Sequence, residues 1–244
     1  MKLGILGGTF DPIHMGHLRS AEEIGQRLAL EKVYLIPSAL PPHKTKTPIT
    51  PFHHRLTMTR LGTDCSRLLE TMDLEGNRPG FSYSIETLQE LHEVLGPAPE
   101  LFFILGMDAF LEIKTWRDYR RLFDYAHFVI LSRAGCRNQG LDALFSDLDI
   151  KCSTTGGSTT GGSTMGTGGH FVAPSGRSIF LLTSTRMEIS STNIRNMVKE
   201  DKSIHFLVPE AVRAYIIEKG LYLRDDPHRK SKIMPYNHPG KKGR

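Results

Sequence analysis

Two widely separated stretches of this 244-residue chain carry residue types that could grip phosphate. The first is Gly7-Gly8-Thr9-Phe10-Asp11-Pro12-Ile13-His14-Met15-Gly16-His17, which follows a short apolar run and leads into a helical pattern. Paired glycines carry no side chain, so the backbone at Gly7 and Gly8 can pass close to a ligand. His14 and His17 are neighbours if that turn is helical, and Gly16 between them keeps the space beside them open. Two imidazoles next to the N–H groups of a helix start form a donor-rich pocket suited to phosphate. The segment is not a Walker A loop, because the G-K-[ST] ending is missing. The residues alone also suit two surface histidines beside a tight turn. A metal site fits less well, since no carboxylate or cysteine at ligand spacing completes it.

The second stretch is Ile189-Ser190-Ser191-Thr192-Asn193-Ile194-Arg195. Consecutive hydroxyl residues ahead of Ile194, Met197 and Val198 read as a helix N-cap. A helix start with free N–H groups, hydroxyls and an Arg one turn in can hold a polyphosphate by charge-assisted bonds. Simple capping with a solvated Arg195 is the plainer reading of the same residues.

The elements around these stretches alternate. Leu3–Leu6, Val33–Ile36, Leu68–Leu74, Leu101–Leu105, Phe128–Leu131 and Ile179–Leu182 read as short apolar strands. Helical patterns cover about His17 to Leu30, Phe52 to Leu61, Tyr83 to Leu95 and Pro209 to Lys219. Short apolar strands separated by helices predict an α/β fold, a Rossmann-like doubly wound parallel sheet covered on both faces. Ligands of such sheets sit beyond the carboxyl ends of the strands, which directs attention to Gly7-Gly8, Pro37–Lys44, Gly106–Asp108 and Ser132-Arg133.

Composition narrows the class. The whole net charge of +5 falls in residues 224–244, so the body of the chain is balanced and nucleic acid is not expected as a partner. Cys65, Cys136 and Cys152 form no C-x-x-C pair, which argues against a disulfide scaffold and fits a reducing, cytoplasmic setting. No apolar run is long enough to predict a membrane span. Residues 153–169, nearly all Ser, Thr and Gly, have little to bury and read as a flexible insertion. The expected organisation is therefore one domain over 1–223, closed by a C-terminal helix, and a basic tail over 224–244 read as disordered.

Taken together, the two phosphate stretches resemble the hallmark motifs of the H-x-G-H nucleotidyltransferase superfamily, and within it bacterial nicotinate-mononucleotide adenylyltransferases. GGTFDPIHMGHL and ISSTNIR carry the resemblance. Weaker matches follow in the family's order: PPHK at Pro41–Lys44, NRPGFSYSIETL at Asn77–Leu88, FILGMDAF at Phe103–Phe110, KTWRDYRRL at Lys114–Leu122, and LVPEAVRAYIIEKGLY at Leu207–Tyr222. Pantetheine-phosphate adenylyltransferases look similar at both ends but lack the SYS-IETL and TW-DY segments.

The resemblance implies that an acceptor phosphate attacks the α-phosphorus of ATP and pyrophosphate leaves, with no enzyme nucleophile. It assigns catalytic roles to His14, His17, Lys44 and Arg195. It places Gly7, Gly8, Thr9, Phe10, Gly16, Gly106, Asp108, Ser191, Thr192 and Ile194 around ATP. It gives Ser84, Trp116 and Asp11 to the acceptor, nicotinate mononucleotide, with Trp116 stacking on the pyridine ring. The family usually has Thr where this chain has Ser84; serine keeps the hydroxyl and loses the methyl. Trp116 could equally be a core residue. Mg²⁺ is expected to arrive on the ATP phosphates rather than in a protein cage. Another acceptor, nicotinamide mononucleotide or phosphopantetheine, remains an alternative, as does a non-catalytic ATP- or RNA-binding module. A homo-oligomer is left open. His53, His54, His92 and His127 receive no role.

Overall fold

The computed structural model describes residues 1–42, 48–132, 140–153, 169–185 and 187–224. In chain order the elements are β1 (Lys2–Gly8), α1 (Met15–Arg27), β2 (Lys32–Pro37), α2 (Phe52–Thr63), β3 (Leu69–Thr71), α3 (Ser84–Leu95), β4 (Glu100–Gly106), α4 (Met107–Leu111), α5 (Tyr119–Tyr125), β5 (His127–Ser132), α6 (Leu141–Asp147), β6 (Lys151–Cys152), β7 (Gly169–Val172), β8 (Ser178–Thr183), α7 (Ser191–Lys199) and α8 (Glu210–Glu218). The strands form one sheet in the order β3-β2-β1-β4-β5-β8-β7-β6.

Strands β3 through β8 in that order pair in parallel. Their continuous apolar runs are buried on both faces, as a parallel sheet requires. The pleat sorts alternate residues into two cores. Leu3, Ile5, Leu101, Phe103, Leu105, Phe128 and Ile130 join one core with side chains from α3, α4, α5 and α6. Leu6, Phe102, Ile104, Val129, Val33 and Leu35 join the other with side chains from α1, α2, α7 and α8. Strand order reverses between β2-β1 and β1-β4, so the loops after β1 and β4 diverge to opposite faces and open a crevice between them.

The sheet departs from the sequence reading in three places. Leu68–Leu74 is not one strand: β3 stops at Thr71, and Leu74–Asn77 forms a 3-10 turn. Pairing with β2 covers only Leu69 to Thr71, and Leu74 is buried by the turn instead. The sheet is not wholly parallel, because β6 and β7 add an antiparallel edge beyond β8. Gly169 lies in β7, and the Ser153 N–H donates to the His170 carbonyl at 3.0 Å. The two ends of the Ser/Thr/Gly-rich stretch therefore belong to this edge. Residues 154–168 and the tail beyond 224 lie outside the described residues.

Helix α1 starts two residues earlier than its apolar pattern suggests, because the His14 side chain accepts from the His17 N–H and acts as the N-cap. In α7, Ser190 caps by accepting from the Asn193 N–H, so Ser191 and Thr192 stand inside the first turn. Ile194 is the fully buried anchor of α7, with Met197 and Val198 packed partly against the same core. Replacing Ile194 by Ala should cost about 2–5 kcal/mol in urea unfolding, and by Val about 0.5–1.5 kcal/mol. An Ala variant as stable as the parent would show that α7 is held by something other than this side chain.

Candidate active site

The crevice is a cavity of about 770 Å³ at the carboxyl ends of β1, β4, β5 and β8, within the range of small-molecule sites. Both phosphate stretches line it. Thr9, Phe10, Asp11, His14, Gly16 and His17 face Ser190, Ser191, Thr192 and Arg195. They are also bonded to each other: Ser191 Oγ donates to the Pro12 carbonyl at 2.9 Å, and Arg195 Nη1 donates to the Asp11 carbonyl at 2.7 Å. Arg195 Nη2 reaches Thr192 Oγ1 at 3.3 Å, which holds the guanidinium across the helix start. The first-turn amides of Ser191 and Thr192 have no intrahelical carbonyl to bond and form a positive helix end.

The histidine pair is tightly set. The two rings stack with centroids 3.6 Å apart and planes 20° from parallel, and Phe10 meets His17 edge-on at 5.1 Å. His14 is only 5% exposed, and burial pushes its pKa down to about 4. Its Nδ1 accepts from the His17 N–H at 3.4 Å, so the neutral ring carries its proton on Nε2 and remains a donor. Gly16 suits this arrangement, since a Cβ there would stand 3.1 Å from His14 Nδ1 and press on the buried ring.

Other expected residues fall differently. Gly106 and Asp108 line the cavity, at the end of β4 and in the first turn of α4. Gly7 has open space where a Cβ would stand. Gly8 does not: a Cβ there would lie 2.8 Å from the Phe10 ring, so internal packing requires that glycine. Ile194 is buried, absent from the cavity wall, and its N–H bonds the Ser190 carbonyl. Its side chain anchors the helix. Asp11 lines the cavity, but its carboxylate is committed to the interior. Oδ1 accepts from the Tyr222 hydroxyl at 2.7 Å and Oδ2 from the Thr50 N–H at 3.2 Å. Burial and the Asp11 charge push the Tyr222 pKa far up, so that hydroxyl stays a donor.

Ser84 and Trp116 do not line this cavity. Ser84 opens α3, and Trp116 packs edge-on against Phe103 at 6.3 Å. They are nevertheless brought to one region by Arg117, whose guanidinium lies 4.8 Å from the Tyr83 ring centre and pairs with Glu86 at 2.7 Å. Lys44 and Arg133 lie outside the described residues. His54, His92 and His127 bond Tyr215, Tyr125 and Ser178 respectively, which are packing contacts away from the cavity.

Several site residues were not legible as such. Ser184, Thr185, Met187 and Glu188 extend the wall from β8 to the second phosphate stretch. Glu23 fixes it by accepting from the Thr185 N–H and hydroxyl, and Arg27 by donating to the Thr183 carbonyl. Arg55, 1% exposed, donates to the carbonyls of Thr9, Ser38, Ala39 and Thr50. A signal for it existed: Arg55, Met58, Thr59 and Gly62 recur at the i, i+3, i+4, i+7 spacing of a buried helix face.

With this geometry in place, comparison with known proteins becomes informative. A family model described as cytidylyltransferase-like matches residues 5–197. A protein of Desulfatibacillum aliphaticivorans, named "Probable nicotinate-nucleotide adenylyltransferase", is 42% identical over 224 residues, which is 91% of this chain and 100% of its own. A Geobacter sulfurreducens protein of the same name is 39% identical over 225 residues, 92% of this chain and 100% of its own. Among solved structures, Plasmodium falciparum nicotinic acid mononucleotide adenylyltransferase complexed with NaAD aligns with a TM-score of 0.66 at 19% identity, covering 91% of this chain and 97% of that one. At that identity the likeness concerns the fold.

The buried neutral His14 has a consequence for acid stability. Its folded pKa of about 4 lies below the ordinary value of 6.5. Between those pH values the unfolded chain takes up a proton that the folded chain refuses, so stability is lost as pH falls through this window. The loss attributable to His14 should reach about 3 kcal/mol by pH 4 in urea titrations. A His14→Asn variant should show a correspondingly shallower decline; an unchanged slope would contradict the assignment.

Proposed function

Because the chain belongs to the cytidylyltransferase-like family and, within it, to the nicotinate-nucleotide adenylyltransferases, we infer that it transfers AMP from ATP to nicotinate mononucleotide. The products are deamido-NAD and pyrophosphate, a step of NAD biosynthesis. The observation that carries the reading is the junction of the two phosphate stretches through the Asp11 and Pro12 carbonyls. It sets Arg195, the first turn of α7 and the imidazole pair around one cavity.

The reaction is a direct displacement. An oxygen of the acceptor phosphate forms a bond to the α-phosphorus while the bond to the bridging oxygen of pyrophosphate breaks. No side chain need act as nucleophile, so rate comes from alignment and from donors aimed at charge that shifts onto phosphate oxygens. In this reading the neutral His14 and its stacked partner His17 donate to the α- and β-phosphates. Arg195 and the α7 amides of Ser191 and Thr192 receive the departing pyrophosphate charge. Asp108 accepts from ribose hydroxyls, and Lys44 adds a cation to the phosphates. Ser84 and Trp116 serve the nicotinate ring and its carboxylate.

Mg²⁺ would supply further neutralisation of the triphosphate. The described residues hold no group of three or more His, Cys, Asp or Glu side chains able to cage a metal. The ion would be carried mainly by the nucleotide phosphates, which suits its reluctance to lose water.

The single sheet and the family match over residues 5–197 support one nucleotidyltransferase domain across 1–223. No helix among the described residues is long and apolar enough to cross a membrane. A cytoplasmic setting belongs to the same reading and suits the free thiols of Cys65 and Cys152.

Pyrophosphate release from Mg·ATP should be fastest with nicotinate mononucleotide when it is offered in parallel with nicotinamide mononucleotide and phosphopantetheine. Faster turnover with either of the others would replace the acceptor named here. His17→Ala should lower kcat by about 100- to 1,000-fold with an unchanged circular dichroism spectrum. A near-normal rate would remove His17 from the mechanism.

A further inference from the structure

Arg55 touches no part of the cavity, yet it binds three chain segments that do or that flank it. Its Nε donates to the Thr50 carbonyl at 2.8 Å; Nη1 donates to Thr9 at 2.8 Å and Ser38 at 2.7 Å; Nη2 donates to Ala39 at 3.0 Å. Thr9 lies in the loop between β1 and α1 that ends in the imidazole pair. Ser38 and Ala39 follow β2, and Thr50 stands just before Pro51, the N-cap of α2. The Thr50 N–H is tied back to Asp11 Oδ2, so the same two loops are joined a second time.

Arg55 is 1% exposed, and burial lowers its pKa while the charges of Asp11 and Glu75 oppose that shift. Its planar fork addresses four carbonyls in fixed directions, which the single ammonium of a lysine cannot reproduce. A carbonyl at Thr9 held in this way fixes the backbone two residues before Asp11, whose own carbonyl receives Arg195. Small displacements matter here: a misplacement of about 1 Å in a positioned group can cost about 100-fold in rate.

We propose that Arg55 is a positioning residue for the transfer reaction, holding the β1–α1 phosphate loop in register with the segments either side of residues 40–49. The inference rests on the function proposed above. Wild-type turnover with the acceptor panel tests that function by itself, whereas the Arg55 test is a ratio taken with whichever acceptor is turned over.

The test compares Arg55→Lys with Arg55→Gln, which places no charge in the interior, and uses Met58→Ala as a control on the same helix. Met58 is equally buried and bonds none of these carbonyls; its sulfur meets the Tyr222 hydroxyl at 4.0 Å, and Met58→Ala removes that contact while leaving the Tyr222–Asp11 bond. Rates are normalised to folded protein at a temperature well below each midpoint. The expected result is a loss of about 10- to 100-fold in kcat for the Arg55 variants, and near-parental kcat for Met58→Ala despite its lower melting temperature. In a double-mutant cycle, His17→Asn should then cost much less in an Arg55→Lys background than in the parent. Parental kcat in the folded Arg55 variants, or full additivity with His17→Asn, would overturn the proposal. So would failure of both Arg55 variants to fold, which would make the residue a requirement of the fold rather than of the reaction.

Discussion

Two backbone carbonyls carry the site. The Pro12 and Asp11 oxygens project from the loop after β1 and are taken up by Ser191 and Arg195 from the other end of the chain. Such bonds are individually modest, about 1 kcal/mol for the hydroxyl and about 1.5–3 kcal/mol for the charged donor. Their value is directional. Ile194 supplies the bulk attraction that holds α7 to the sheet, but apolar burial sets no orientation. The carbonyl bonds decide which way the helix start faces. They turn the first-turn amides and the guanidinium toward the stacked imidazoles.

That constraint depends on the sheet. A parallel array whose strand order reverses at β1 and β4 leaves a crevice whatever its loops contain. The cavity walls arise from loop ends at β1, β4, β5 and β8, which are held by a sheet buried on both faces. Rigid strands thus set the spacing, and the loop residues supply the chemistry. Burial acts on both levels, since the packing that fixes His14 also keeps it neutral and therefore a proton-bearing donor near neutral pH.

Much of this was readable from residue types. The strands announced themselves as apolar runs because both faces are covered, and His14, His17, Ser191 and Arg195 stood out because polar donors cluster at helix starts. What the residue types did not announce has a common origin in three-dimensional context. Ile194 sits within a phosphate motif, yet its role is to fill the core. Gly8 reads as a site of ligand approach, and the structure adds that its missing side chain leaves room for the Phe10 ring. Arg55 shares the spacing of a buried helix face, which marks it as interior but leaves its role open until four carbonyls are seen around it. The β6–β7 edge escaped notice because Lys151–Cys152 is too short to show a period. Ser184, Thr185, Met187 and Glu188 escaped because they follow β8 without a periodic pattern.

The contacts that complete the cavity reach far along the chain: 179 residues for Ser191 to Pro12, 184 for Arg195 to Asp11 and 211 for Tyr222 to Asp11. Pairings of such high contact order form late, because the entropy of closing so large a loop must be met before they can form. During synthesis the glycine- and histidine-bearing loop emerges first with its carbonyls and carboxylate facing water. Arg55 and Thr50 can reach the Thr9 carbonyl and one Asp11 carboxylate oxygen early, but the Asp11 and Pro12 carbonyls and the other carboxylate oxygen wait until the segment ending at Tyr222 has left the ribosome. A nascent chain stalled short of that point can hold most of the sheet and still be unable to hold a nucleotide.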